Sequence, residues 1–313
     1  MPTLDARVAD MLADPRFAGL VHRLAGGFLE VQNVAPRLVS QFAAQQRCLI
    51  SHAVLGAYFR GLRSGKPGFT QRDFVDLALD HGLSSRNTAA AFFAEALHYG
   101  IIQPVRPGSG RGGPAEPAAA TLWGLSEWYK LHLSAIDGLD GGDRATRLQA
   151  DGATLLARLQ PAVAERFLAS AVIRTPPACY RIFASVDEGS SLMDRLITGV
   201  EVATARDEER ALTDVTSVSA LARPFNISRT HAGRILAAAI EIGAIGWSGL
   251  PGRSRLWLSR AFRDDFARVQ ATKLAAIEAA FREATEAPTG PHAMAPPNIT
   301  ASGLADCSAQ PSL

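Results

Sequence analysis

Apolar residues recur with helical spacing in two similar stretches of the chain. In residues 85–100, alanine, phenylalanine and leucine stand at i, i+3, i+4, i+7 and i+8, and residues 228–243 repeat this spacing 143 residues later. Each stretch begins with serine, a preferred N-cap, and ends with glycine, which suits the left-handed position after a helix. The pattern predicts two equivalent amphipathic helices.

Each predicted helix follows a shorter helix and a turn. Residues 69–84 predict a helix with a break at Gly82, and residues 213–228 predict one with a break at Pro224 and Asn226. After each second helix, a short apolar run and a turn-rich segment predict antiparallel wing strands: residues 101–105 with 121–125, and residues 244–248 with 255–258. Together these elements predict two winged helix-turn-helix units.

An alternative interpretation treats both stretches as core helices of an all-α repeat fold. Pro104, Pro107 and the glycine-rich residues 108–113 interrupt continuous helical pairing and favour wings. The glycine-rich loop also lacks the Lys-Ser or Lys-Thr of a nucleotide-binding loop, so we interpret it as a wing tip.

The remaining periodic segments predict further helices, at residues 6–12, 17–31, 48–62, 144–171 and 260–284. The predicted fold class is mainly α with small β wings, in which tandem winged helix-turn-helix units are joined by a helical dimerisation-like region as a pseudo-dimer. We assign residues 1–140 to a first unit with the N-terminal helices and 141–286 to a second with the C-terminal helix. Residues 287–313, rich in proline and poor in charge, predict a disordered tail.

Composition indicates a globular chain, with 47% apolar and 20% charged residues. Acids near the N-terminus and the lack of a long apolar run predict a cytoplasmic protein that does not enter a membrane. Cys48, Cys179 and Cys307 have no metal-like spacing, so we expect neither a metal nor a cofactor. We interpret these cysteines as two buried residues and a tail thiol, with redox sensing by Cys48 or Cys179 as the alternative.

The arrangement of helices and winged units resembles the MarR-type transcriptional regulators. In that family a winged helix-turn-helix lies between terminal helices that join two protomers, and the chains are usually about half as long as this one. The resemblance covers most of residues 10–285 and implies two MarR-like units fused in one chain. It departs from the family in the wings, where Arg111, Arg253 and Arg255 are present without the Asp that often precedes the tip arginine.

The resemblance implies a sequence-specific regulator that binds double-stranded DNA at two half-sites about 34 Å apart. Arginine suits guanine edges, asparagine suits adenine, and a capped helix N-terminus offers N–H groups to phosphate. The candidate DNA contacts are Ser85, Arg86, Asn87, Arg111, Ser228, Arg229, Thr230, His231, Arg234, Arg253 and Arg255.

The two second helices differ on their exposed sides, so we expect the operator to be an imperfect palindrome. Asp73, Asp76 and Asp80 near the first of them would repel phosphates if they faced DNA, which predicts unequal binding by the two units.

The resemblance further implies that a small aromatic or phenolic ligand changes DNA affinity, and the candidate lining residues are His52, Tyr58, Phe59, Tyr180 and Phe183.

Two other function classes compete with the regulator. An enzyme would need a dinucleotide fingerprint, a nucleophile elbow or a metal-binding His pair, and the sequence has none of these motifs. A winged-helix scaffold that binds another protein fits the small net charge of +2 and the acidic first helix pair. The sequence leaves open whether the chain acts as a monomeric pseudo-dimer or as a homodimer.

Overall fold

The computed structural model describes residues 3–66, 68–106, 112–202 and 208–286. Its helices are α1 (Leu4–Ala13), α2 (Phe17–Val34), α3 (Pro36–Phe42), α4 (Gln45–Arg63), α5 (Gln71–Asp80), α6 (Arg86–His98), α7 (Ala119–Asp140), α8 (Arg144–Ala169), α9 (Ala171–Arg174), α10 (Ala178–Ala184), α11 (Gly189–Thr198), α12 (Val218–Ala222), α13 (Arg229–Glu241) and α14 (Arg260–Glu286). Its strands are β1 (Ile102–Pro104), β2 (Ala115–Pro117), β3 (Arg210–Leu212), β4 (Ile245–Trp247) and β5 (Leu256–Ser259). The described chain is therefore mainly helical with small antiparallel sheets, as the sequence predicts. The predicted disordered tail at residues 287–313 lies outside the described residues.

The chain divides into two compact units, and each is built from separated segments. The α13 unit lies within Met1–Gln45, Ala135–Gly142 and Ala171–Ala275, and the α6 unit lies within Gln46–Ser134, Asp143–Ser170 and Ala276–Leu313. Helices α1–α3 thus belong with the second helix pair, whereas the division drawn from the sequence at residue 140 placed them with the first. The reason is that α2 packs along α11, where the His22 ring donates a hydrogen bond from Nε2 to the carbonyl oxygen of Thr198 (3.2 Å).

In the α6 unit, α5 and α6 form the first predicted helix pair. Thr70 caps α5 through a reciprocal pair of hydrogen bonds with Asp73, and Ser85 caps α6. Gly82 and Gly100 follow the two helices with φ of 60° and 66°, as predicted from their positions. The predicted apolar stripe of α6 is buried and packs on Phe74 of α5 through Phe92 and Phe93.

The second strand of the first predicted wing is placed wrongly by the sequence interpretation. β1 pairs with β2, in the register Ile102 with Pro117, whereas residues 121–125 lie in α7. The buried residues of α7 recur every three to four positions, at Leu122, Leu125, Tyr129, Leu133 and Ile136, which is a helical period. The apolar run after Ala118 was too short to distinguish a strand from the start of this helix.

In the α13 unit, a turn at Arg223–Phe225 joins α12 to α13, and Asn226 adopts the left-handed conformation with φ of 54°. Strands β3, β5 and β4 form a sheet in that order, with β5 in the middle and both pairings antiparallel. The hairpin of β4 and β5 pairs Ile245 with Leu258 and confirms the second predicted strand pair. The sequence interpretation missed β3.

Asp194 is buried in α11, and burial raises the pKa of its carboxyl to about 8, although the charge of Lys273 opposes this shift. An aspartate in the unfolded chain titrates near pH 4, so between about pH 4 and 8 the folded state holds an extra proton and the free energy of unfolding falls as pH rises. From about pH 5.5 to 7.5 we expect this free energy to fall about 2 kcal/mol further in the wild type than in Asp194→Asn, measured by urea titration. An identical pH dependence in the two proteins would contradict the buried-acid assignment.

Candidate nucleic-acid interface

The N-terminus of α13 is capped and exposed. The hydroxyl oxygen of Ser228 accepts a hydrogen bond from the backbone N–H of His231 (3.1 Å). The backbone N–H groups of Arg229 and Thr230 precede the first intrahelical donors and have no acceptor within the helix. Together with the helix dipole, these donors favour an anion at this end.

The exposed face of α13 lies opposite its buried stripe of Ala232, Ile235, Leu236 and Ala239. Arg229, Thr230 and Arg234 are exposed on this face, and the guanidinium groups of both arginines have no hydrogen-bond or ion-pair partner among the described residues. Gly233 stands between them, and a Cβ added there would meet no atom within 4 Å. The face therefore combines two available cations with an open position at its centre.

His231 contacts the backbone just before α11. It is half-buried, and its ring Nε2 donates to the backbone carbonyl oxygen of Asp187 (3.3 Å), just before α11. This contact joins the N-terminal turn of α13 to the backbone just before α11. We therefore interpret His231 as a residue that positions the helix.

The arginines that follow α13 are less available than the sequence indicates. Nε of Arg255 donates to the carbonyl oxygen of Thr213 (2.5 Å), and Arg260 pairs with Glu209 (3.5 Å). Arg263 donates to the carbonyl oxygen of Glu208, and burial lowers the pKa of its guanidinium. Arg253 remains exposed, with no partner for its guanidinium in the part of the chain that the structure describes.

Packing on Trp257 holds the β4–β5 hairpin in place. The guanidinium of Arg210 lies over the indole, 4.4 Å from its centroid, and the indole N–H donates to the carbonyl oxygen of Trp247 (3.2 Å). The ring passes directly over Gly246, where a Cβ would overlap it. The two tryptophans thus brace the hairpin.

Residues 250–253 form the tip of the hairpin and were missed as a unit in the sequence. The backbone N–H of Arg253 donates to the carbonyl oxygen of Leu250 (3.0 Å), Pro251 is the second residue, and Gly252 has φ of 75°. Proline second and a positive-φ glycine third are typical of a type II turn, so the letters Leu-Pro-Gly-Arg contained this signal.

The N-terminus of α6 offers a similar cap with fewer available cations. Ser85, Arg86 and Asn87 are exposed, and the Ser85 hydroxyl oxygen accepts from the backbone N–H of Thr88 (3.2 Å). The guanidinium of Arg86 has no partner within the described ranges. Arg111, the predicted tip residue of the first wing, lies outside the described residues.

Charge distinguishes the two helix pairs. Residues 70–100 contain two arginines and four carboxylates, whereas residues 217–243 contain three arginines and one carboxylate. In the first pair, the Thr70 backbone N–H lowers the pKa of Asp73, which stays ionised at neutral pH, and Asp76 pairs with Arg72 (3.4 Å). Glu95 is paired with Arg47 (2.8 Å). The surface around α13 is therefore the more favourable one for a polyanion.

The predicted ligand-lining residues are all buried, and they belong to separate units. His52, Tyr58 and Phe59 lie in the core of the α6 unit, where the carboxamide of Gln160 donates to the His52 carbonyl oxygen (2.9 Å). Tyr180 and Phe183 lie in the core of the α13 unit. Each has an aromatic packing partner within its own unit.

Burial decides between the two interpretations of Cys179. It raises the pKa of the Cys179 thiol to about 11, and the neighbouring carboxylate of Asp265 adds to this effect. The thiol is therefore protonated at neutral pH and is a poor redox sensor. Cys48 is half-buried in the α6 unit.

Comparison with protein-family models, with curated proteins and with solved structures gave no match to this chain. In the described residues, none of the helices has the length and apolar character needed to cross a bilayer. No group of three or more His, Cys, Asp and Glu side chains there is arranged to hold a metal ion.

Proposed function

We propose that the protein is a sequence-specific transcriptional regulator that binds double-stranded DNA through two MarR-like winged helix-turn-helix units. The observation that carries this proposal is the exposed face of α13, where Arg229 and Arg234 have no partners among the described residues and stand beside a capped helix N-terminus. The neighbouring sheet, with β5 between β3 and β4, supports the proposal because it braces a hairpin beside this helix.

In the proposed complex, α13 enters the major groove with its N-terminus toward the phosphates. Backbone N–H groups after Ser228 bind a phosphate, while Arg229 and Arg234 donate to the O6 and N7 atoms of guanines. Gly233 has no side chain and so allows the backbone of α13 to approach the DNA closely. A glycine in a helix interior is otherwise disfavoured by about 1 kcal/mol relative to alanine. Folding does not require the glycine at this position, because a methyl group would meet open space.

In the same proposal, α6 reads the second half-site through Arg86 and Asn87. The four carboxylates around α5 and α6 make this contact weaker, so the operator is an imperfect palindrome with one dominant half-site. A small aromatic ligand that binds one conformation better than another would regulate the complex.

A second candidate function rests on the acidic surface of the first helix pair. Two arginines against four carboxylates suit a basic protein partner better than a polyanion. In this alternative, the chain is a winged-helix scaffold that binds another protein and has no sequence-specific DNA binding.

A selection experiment tests the regulator against the scaffold. The purified chain is offered a pool of random 30-base-pair duplexes, and the enriched duplex and a scrambled control are titrated at about 50 and 200 mM salt. We expect enrichment of one sequence and at least a 100-fold loss of its affinity at the higher salt, because phosphate contacts release counterions. A pool without enrichment, or weak binding that is insensitive to salt and equal for both duplexes, would favour the scaffold.

A further inference from the structure

Leu250 is the most exposed large apolar side chain among the described residues, at 69% of its full accessible area. Single exposed leucines are common on protein surfaces and need no special explanation. This one differs because it occupies the tip of the β4–β5 hairpin, next to Pro251 and close to Arg253, an exposed arginine.

The tip is held in a defined conformation by hydrogen bonds that do not involve the Leu250 side chain. Its carbonyl oxygen accepts from the Arg253 backbone N–H (3.0 Å) and from the Ser254 hydroxyl (2.9 Å). The Ser254 hydroxyl oxygen in turn accepts from the backbone N–H of Gly249 (3.0 Å). The backbone N–H of Ser248 donates to the carbonyl oxygen of Arg255 (2.9 Å) and so continues the pairing of the two hairpin strands. The leucine is therefore presented on an ordered turn.

The turn places an apolar and a cationic side chain side by side. The first and fourth residues of a β-turn have Cα atoms within about 7 Å, so Leu250 and Arg253 flank the same tip. The leucine is exposed, and the guanidinium has no partner among the described residues. A ligand that fits this tip needs an anionic surface next to an apolar slot.

Double-stranded DNA has both features where a base step opens. Apolar side chains, leucine and proline among them, insert from the minor groove between base pairs, unstack them and bend the duplex, while adjacent arginines occupy the negative potential of the groove. Pyrimidine–purine steps open most easily. We infer that Leu250 and Pro251 form a wedge that unstacks one base step in the minor groove beside the α13 half-site and bends the DNA. This inference rests on the proposed DNA-binding function.

The experiment uses the full-length chain and the duplex enriched by the wild type from the random pool. Fluorophores at the duplex ends report bending by energy transfer, and 2-aminopurine at the proposed step reports unstacking. Leu250→Ala removes the larger side chain of the wedge and keeps every hydrogen bond of the turn. Leu212→Ala is the matched control, since Leu212 is also exposed, at 41%, and lies on the same sheet.

We expect the wild type and Leu212→Ala to bend the duplex by at least about 20° and to raise the 2-aminopurine signal. For Leu250→Ala we expect loss of that signal, a smaller bend and roughly 10-fold weaker binding. A pool selected by Leu250→Ala should lose the enrichment of a pyrimidine–purine step beside the core sequence.

Other outcomes separate the wedge from the function on which it rests. If Leu250→Ala bends and unstacks the selected duplex like the wild type, the wedge is wrong and DNA binding stands. If Leu250→Ala instead changes only the sedimentation of the free protein, the tip is a protein contact and the wedge is again wrong. If the wild type enriches no duplex at all, both proposals fail.

Discussion

Replacing Arg229 and Arg234 together with alanine is expected to weaken binding to the selected duplex about 100-fold and leave the protein folded. Each arginine that donates to a guanine edge contributes about 1 to 3 kcal/mol, so loss of both corresponds to roughly 3 kcal/mol. The fold should tolerate the change because both side chains are exposed and have no partners among the described residues. Fluorescence anisotropy titrations measure the affinity, and circular dichroism measures the fold.

Two single variants make this result specific. Arg268→Ala removes an exposed arginine of the same unit that lies on α14, and we expect it to bind within about 2-fold of the wild type. Arg86→Ala on α6 should cost less than about 5-fold, because the carboxylates nearby already weaken that contact. An equal loss in all the variants would indicate a general charge effect and would contradict the assignment of α13 as the reading helix.

Local signals in the sequence predict the two helix pairs well. Serine caps at positions 85 and 228, left-handed glycines at positions 100 and 243 and the apolar stripes between them are properties of single helices. Each depends on residues within a few positions along the chain, and the structure has them in place except at Ile240, the last position of the second stripe, which is 39% exposed. The β4–β5 hairpin was predictable for the same reason, since its strands are close in sequence.

Features that depend on distant segments were not predictable. Strand β3 is three residues long and exists because it pairs with β5, more than forty residues later. The partners of Arg255 and Arg263 lie 42 and 55 residues earlier in the chain, a separation at which the local sequence gives no sign of the pairing. Helix α2 packs against α11. The periodicity of an amphipathic helix shows which of its faces is buried but not which other helix covers that face.

The start of α7 was mistaken because a short apolar run has no period of its own. Residues 121–125 have apolar positions that fit a strand or the first turn of a helix. The decision comes from residues further on, where Tyr129, Leu133 and Ile136 continue the helical face into the core. A longer window would have favoured the helix.

Gly189→Ala is expected to destabilise the α13 unit by about 3 kcal/mol or more, the largest stability effect that we predict for a single methyl group. Gly189 is the buried first residue of α11 and follows Glu188, which adopts the left-handed conformation with φ of 58°. A Cβ there would overlap the backbone carbonyl oxygen of Phe183 and lie 2.7 Å from its carbonyl carbon. Because the obstacle is backbone, α10 and α11 would have to move apart.

Gly233→Ala is the matched control and has the opposite expected effect. Its methyl group meets open space in a helix interior, so we expect the free energy of unfolding to rise by about 0.5 to 1 kcal/mol in urea titrations followed by circular dichroism. If the backbone of α13 approaches DNA at this glycine, the same variant should bind the selected duplex more weakly although it is more stable. Stability and binding would then change in opposite directions, which a purely structural role for Gly233 does not predict. A Gly189→Ala protein as stable as the wild type would mean that the α10–α11 turn adapts without strain.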